Sequence, residues 1–198
     1  MATRPYHHGH LRDTLLTEAE RALREQGVEQ LSLRDLARQA GVSHAAPRRH
    51  FRDRQALLDA LAENGFTRLG DEVAAAIEDA GPDTPGQLRA VAAVYVRFAT
   101  ENTALMELMF TAKNAAPPGT RPGAVQDASM HLFTVMGDLI RRGQEAGELP
   151  AGDPEQLRLL LIATVQGIAS LISSGRVRPG QTDALIADAV TLFTRGPR

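Results

Sequence analysis

The chain has 198 residues, 43% apolar and 23% charged, with a formal net charge of -2 and no cysteine. That is the make-up of one large or two small globular domains, and it excludes both a disulfide scaffold and a protein that coats nucleic acid by charge alone. Charge is unevenly placed: residues 1–68 hold eleven arginines against nine carboxylates, and five of the six histidines, so a polyanion is expected to approach the N-terminal third.

No apolar run behind a basic start marks a secretory leader, so the cytoplasm is the expected compartment. The longest apolar stretch, Leu157 to Ile172, is shorter than the ~20 residues of a membrane span and contains Gln166. It reads as buried in protein, with no membrane partner.

Apolar spacing is helical nearly throughout and nowhere alternates as a strand would, so the fold class is all-α with about nine helices. Leu11, Leu15, Ala19, Ala22 and Leu23 line a first helix from about His10 to Gln26, stopped at Gly27. Ser32 stands three residues before Asp35 as a capping box, opening a short second helix with Leu33, Leu36, Ala37 and Ala40 on one side. Gly41 ends it, and Ser43 can cap a third helix to about Phe51. Asp53 can cap a long fourth, whose Leu57, Leu61, Leu69, Val73 and Ile77 run to the Gly81-Pro82 break. The expected division is a head at 1–53 and a helical regulatory and dimerisation domain at 54–198, with the helix over 54–79 joining them.

Thr84-Pro85-Gly86-Gln87 reads as a cap, a proline in the first turn and a capping-box glutamine, ahead of Leu88, Val91, Ala92, Tyr95, Phe98 and Ala99 at helical spacing. Asn102 is expected to cap a short helix carrying Leu105, Met106, Leu108, Met109 and Phe110. Ala115 to Gly123, with three prolines and two glycines, is the one long irregular loop expected. A helix over Val125–Ala146 ends at Gly147. Asp153-Pro154 opens the very apolar helix that follows, and Leu185, Ile186, Ala189, Val190 and Phe193 mark the last.

Leu31 to Phe51, LSLRDLARQAGVSHAAPRRHF, has the layout of a helix-turn-helix. Gly41 can take a positive backbone angle, Val42 can plug the space between the helices, and Ser43 restarts the chain. Such a frame holds its second helix outward, where side chains can enter the major groove. His44, Arg48, Arg49, His50 and Arg52 make that region polar and cationic. The bland alternative, a solvated charged face, is outweighed by the capped two-helix frame. His7, His8 and His10 suggest an arm near the DNA backbone rather than a metal site, and no metal or other cofactor is expected.

Tyr6-His7-His8-Gly9-His10-Leu11-Arg12, Gly27-Val28-Glu29-Gln30-Leu31-Ser32-Leu33-Arg34-Asp35-Leu36-Ala37, Gly41-Val42-Ser43-His44-Ala45-Ala46-Pro47 and Arg49-His50-Phe51 resemble the DNA-binding region of TetR-family repressors. The resemblance covers residues 6 to about 66. It implies operator double-stranded DNA as a partner, with Ser32 and Leu33 near phosphates and Ser43, His44, Pro47, Arg48, Arg49, His50 and Arg54 facing DNA. Arg48 stands where the family usually has Tyr, and Arg54 where it usually has Lys. An arginine can make a bidentate contact to phosphate or a guanine edge, so the operator can differ.

Tyr95-Val96-Arg97-Phe98 and Leu108-Met109-Phe110 resemble a TetR subgroup with Trp, His and Gly in the eighth helix. Ile162, Gln166 and Gly167 occupy those places here, so only the glycine is kept. The resemblance implies a homodimer and a small-molecule effector. Phe66, Leu69, Phe98, Met106, Met109, Phe110, Met130, Phe133, Met136 and Gln166 are the expected cavity residues, Met and Phe being adaptable apolar surface, although core packing is the ordinary use of such residues. Leu160, Thr164, Gly167, Leu171, Ile186, Val190 and Phe193 are the expected dimer contacts. No cysteine, phosphate loop or His-Glu-x-x-His pair points to an enzyme, and the carboxylates fall mostly on polar helix faces. The rival readings are a helical carrier or sensor without a DNA role, and a nonspecific nucleoid protein.

Overall fold

The computed structural model describes residues 11–114 and 123–195. The expected histidine arm and residues 115–122 of the expected loop lie outside them. The chain forms two compact units, Met1–Gly65 with Ala104–Val125, and Phe66–Thr103 with Gln126–Arg198. The boundary between these units lies at Gly65 and Phe66, inside the long helix expected to join head and body.

Among the described residues are eight α-helices, three 3-10 turns and no strand. In the first unit, α1 (Leu11–Gln26) buries Leu11, Leu15, Leu16, Ala19, Ala22 and Leu23, the 3.6-residue stripe expected of an amphipathic helix. Its outer face carries Glu18, Glu20, Arg21, Arg24 and Glu25 in pairs three or four residues apart. A 3-10 turn, Val28–Gln30, leads to α2 (Leu33–Gln39), and both pack on α1.

Helix α3 (Arg54–Asp79) has 26 residues, about 39 Å at 1.5 Å per residue. Asp53 Oδ1 accepts from the Ala56 amide at 2.8 Å and caps it as expected. Its first half buries Leu57, Leu58 and Leu61, and its second half Phe66, Leu69, Val73 and Ile77. α5 (Thr103–Asn114) approaches α3 at Gly65, where a Cβ would lie 2.6 Å from Met109 Sδ. A side chain at position 65 would require the buried Met109 side chain to shift.

The second unit is built on α4 (Thr84–Glu101), against which α7 (Pro154–Ser173) and α8 (Thr182–Arg195) pack, with α6 (Ala124–Glu145) contributing Leu132, Met136, Leu139 and Ile140 to the core. Two helix starts differ from expectation. The cap of α4 is Asp83, whose carboxylate accepts from the Gly86 amide at 2.7 Å. Thr84 is buried and its amide donates to Glu148 Oε2 at 3.2 Å. Gln87, read as a capping-box residue, instead donates to Gly81 O at 2.5 Å and Ile77 O at 3.3 Å, binding the end of α3. Asn102 closes α4 rather than opening α5, because its amide nitrogens, backbone and side chain, both donate to Phe98 O. Asp153 caps α7 as read, accepting from the Glu155 amide at 3.0 Å.

Candidate nucleic-acid interface

The site begins with how α2 starts and stops. Ser32 Oγ accepts from the Asp35 amide at 3.1 Å, satisfying one orphan donor of the first turn. The return half of the expected box is changed. Asp35 is one carbon shorter than Glu, and its carboxylate accepts from the Ser32 hydroxyl itself at 2.7 Å. That bond first, and Arg38 second, hold the Asp35 carboxyl below its ordinary value of 3.8.

At the other end Gly41 has φ 66, its amide donates to Arg38 O at 3.3 Å, and the Val42 amide donates to Ala37 O at 3.0 Å. This is a Schellman stop, the two bonds that satisfy the last carbonyls once one residue turns left-handed. Val42 follows half-buried, as the turn requires.

The segment after Ser43 is not the α-helix expected there. It is a turn over residues 44–46 followed by the 3-10 turn Pro47–Arg49. The cause is Pro47, which has no amide proton to give to Ser43 O. Ser43 O accepts from the Ala46 amide at 2.9 Å instead, and Ala46 O from Arg49 at 3.2 Å, both three residues on. Only the Phe51 amide, donating to Pro47 O at 2.9 Å, spans four.

Tightening the turn sorts the side chains. Pro47 and Phe51 are buried, so Pro47 plugs the head's core and does not face outward, contrary to expectation. Ser43, His44, Arg48, Arg49 and His50 are all exposed. Among the described residues neither Arg48 nor Arg49 has a carboxylate within salt-bridge distance, whereas neighbouring Arg52 is paired with Asp53 at 3.1 Å. Ser32 and Leu33 are half-buried at the start of α2, the serine hydroxyl being already engaged.

Two arginines brace this head. Arg54 Nε donates to Leu31 O at 2.9 Å and its Nη2 to Val28 O at 2.5 Å. Arg12 of α1 places its guanidinium 5.8 Å from the Phe51 ring centroid, a cation–π contact at the end of the segment after Ser43. The sequence held no local sign of Arg12's role, because its partner is 39 residues away.

The expected cavity residues are spread over both units. In the first, Met106 and Met109 are buried and Phe110 is half-buried. In the second, Phe66, Leu69, Phe98 and Met136 are buried, and half-buried Phe133 lies 6.5 Å from Phe66 between ring centroids. Met130 is 52% exposed on α6 and does not point inward. Gln166 is exposed on α7, where its Oε1 accepts from the buried Tyr95 hydroxyl at 2.5 Å. Burial keeps that phenol protonated, its pKa pushed well above the ordinary range.

The expected dimer residues also divide. Leu160 is 53% exposed, Leu171 and Gly167 lie open, and Thr164 and Phe193 are half-buried. Ile186 and Val190 are buried within the chain's own core, lining an apolar cleft with Leu88, Leu161 and Phe193 between α4, α7 and α8. Leu159 and Leu192, on the same two helices, are also exposed, at 63% and 75%. Helix α7 has 20 residues and a window of mean hydropathy 1.4, of which 22% is buried. By length and composition alone it is apolar enough to cross a membrane, and it is longer than the Leu157 to Ile172 stretch.

A family profile described as bacterial regulatory proteins of the tetR family matches residues 15–61, and a tetracyclin repressor-like C-terminal domain profile matches residues 88–193. A search of curated proteins returns no match. Among solved structures, a protein of unknown function from Rhodococcus sp. RHA1 is 42% identical, with a TM-score of 0.88 over 98% of each chain. A putative TetR-family regulator from Rhodococcus sp. aligns at 19% identity and TM-score 0.71, covering 92% of this chain and 97% of its own. The TetR regulator PfmR from Thermus thermophilus aligns at 22% and 0.68, covering 93% and 98%. The last two are likenesses of fold. With profiles matching both the head and more than half of the chain's length beyond it, this chain belongs to the TetR family of DNA-binding transcriptional regulators, which are not enzymes.

Proposed function

We propose that this regulator is a cytoplasmic, homodimeric repressor that reads a specific operator with His44, Arg48, Arg49 and His50 and is released by a small molecule. The observation that carries the reading is the cluster of exposed basic side chains on the turn between the Schellman stop at Gly41 and the buried Phe51, its Arg48 and Arg49 having no carboxylate within salt-bridge distance among the described residues. Ser43, next to it in sequence, and the first turn of α2 at Ser32 and Leu33 suit phosphate oxygens.

A second copy is the proposed cover of α7 and α8. Leu159, Leu160, Leu171 and Leu192 are large apolar groups open to water in one chain, and such a face is normally an interface. Two heads about 34 to 36 Å apart, or a multiple of that, would meet successive major grooves on one side of the duplex. The effector acts by binding one arrangement of the dimer better than the other, and the buried Phe and Met side chains favour a partly apolar compound.

The test is selection from a randomised duplex pool. Enrichment of one two-part site, retained over scrambled competitor, is the expected result. Equal binding of all sequences, with affinity falling steeply in salt, would instead identify a nonspecific binder, and no retardation at low salt would leave a helical sensor without DNA.

A further inference from the structure

Arg54 is the first residue of α3, and its guanidinium is engaged without DNA. Its two acceptors, the carbonyls of Val28 and Leu31, bracket the 3-10 turn that precedes α2. Leu31 in turn is the residue before the Ser32 cap, and its amide closes the same turn on Val28 O at 3.2 Å. Val28 O thus accepts twice, once along the chain and once from 26 residues away. Both carbonyls are addressed by one planar group. A guanidinium offers Nε and Nη donors in a fixed fork, whereas an ammonium is a single compact charge that cannot hold two carbonyls in one plane.

We propose that Arg54 is a positioning residue and not a DNA contact: it clamps the turn before α2 to the start of α3 and so sets the angle at which α2 and the reading segment meet the duplex. This rests on DNA binding by the head and reverses the role that the resemblance implied for position 54. Arg34, exposed one residue past Leu33, is better placed in sequence to supply a cation at the first turn of α2.

The experiment measures affinity for the fragment that the wild-type chain selects from a random pool, at several salt concentrations, for wild type, R54K and R54A. It also measures amide hydrogen exchange at Leu31 without DNA. R54K keeps the charge but loses the fork. The expected result is an affinity loss of about tenfold, the scale of one charge-assisted hydrogen bond at an exposed site, with an unchanged salt slope and faster Leu31 exchange in both variants. Wild-type affinity in R54K, together with a slope reduced by about 0.9 in R54A, would mark a phosphate contact and overturn the assignment. So would unchanged Leu31 exchange. A wild-type chain that enriches no site would overturn the DNA reading itself, a failure distinct from that of the clamp because the exchange arm contains no DNA.

Discussion

Around Gly41 there is open space, so a methyl group there would meet no neighbour and the whole effect of G41A is backbone strain. A left-handed L-residue costs about 1–2 kcal/mol, and urea unfolding should register that loss; an unmoved midpoint would mean that the turn tolerates another conformation. Arg48 offers the complementary case, an exposed side chain whose loss should leave folding intact. R48A is expected to lower operator affinity by about 1–3 kcal/mol if the side chain reads a base, with little loss on scrambled DNA. An equal loss on both would make it a phosphate contact. The roles of Gly41 and Val42 were legible because each acts on its immediate neighbours, whereas Ser43, expected to cap a third helix, caps none. The roles of Arg12, Arg54 and Tyr95 were not legible. Their partners lie 23 to 71 residues away, a separation that leaves no period or spacing in the chain.

At the level of elements, the helices other than the one expected over 43–51, and their burial pattern, were readable from apolar spacing, since a 3.6-residue stripe and a buried face are the same fact seen twice. Helix starts were less so. Ahead of α4, Asp83 and Thr84 both suit a cap, and the contest is settled by Glu148, which takes the Thr84 amide. The reading segment is decided by a single missing proton on Pro47. Replacing it should let the segment bond in the α-helical register: P47A is expected to shift the Cα chemical shifts of residues 44–51 toward helical values and to alter which sequences are enriched from a random pool. Shifts identical to wild type would show that the buried Phe51 and the Arg12 contact, not the proline, hold the 3-10 geometry. Because Pro47 is also buried, some stability is lost with it, about 1.6 kcal/mol for the two methylenes removed.

For the molecule as a whole, the exposed leucines of α7 and α8 are too large a feature to leave in water, and pairing of two chains follows as the expected state. L160E places a carboxylate in the middle of that face. Sedimentation should then find single chains at micromolar concentration, and operator affinity should fall at least about a hundredfold, because two linked heads gain that much over one. A variant that stays paired, or a wild type that is already solitary, would remove the dimer from the account. Ile186 and Val190 mark the limit of what the pattern could tell: a helix that is apolar on more than one side does not announce which side its own chain will cover.

The chain has no tryptophan and only two tyrosines, of which Tyr95 is buried with its hydroxyl on the outward amide of Gln166. Intrinsic ultraviolet emission in a Y6F background would therefore come from that one phenol. Whatever comes to rest on the outside of α7, whether a sister chain or a compound working its way in, must disturb the acceptor that this ring leans on. The protein carries its own optical gauge, one that needs no dye and reads from the interior what is happening at the surface.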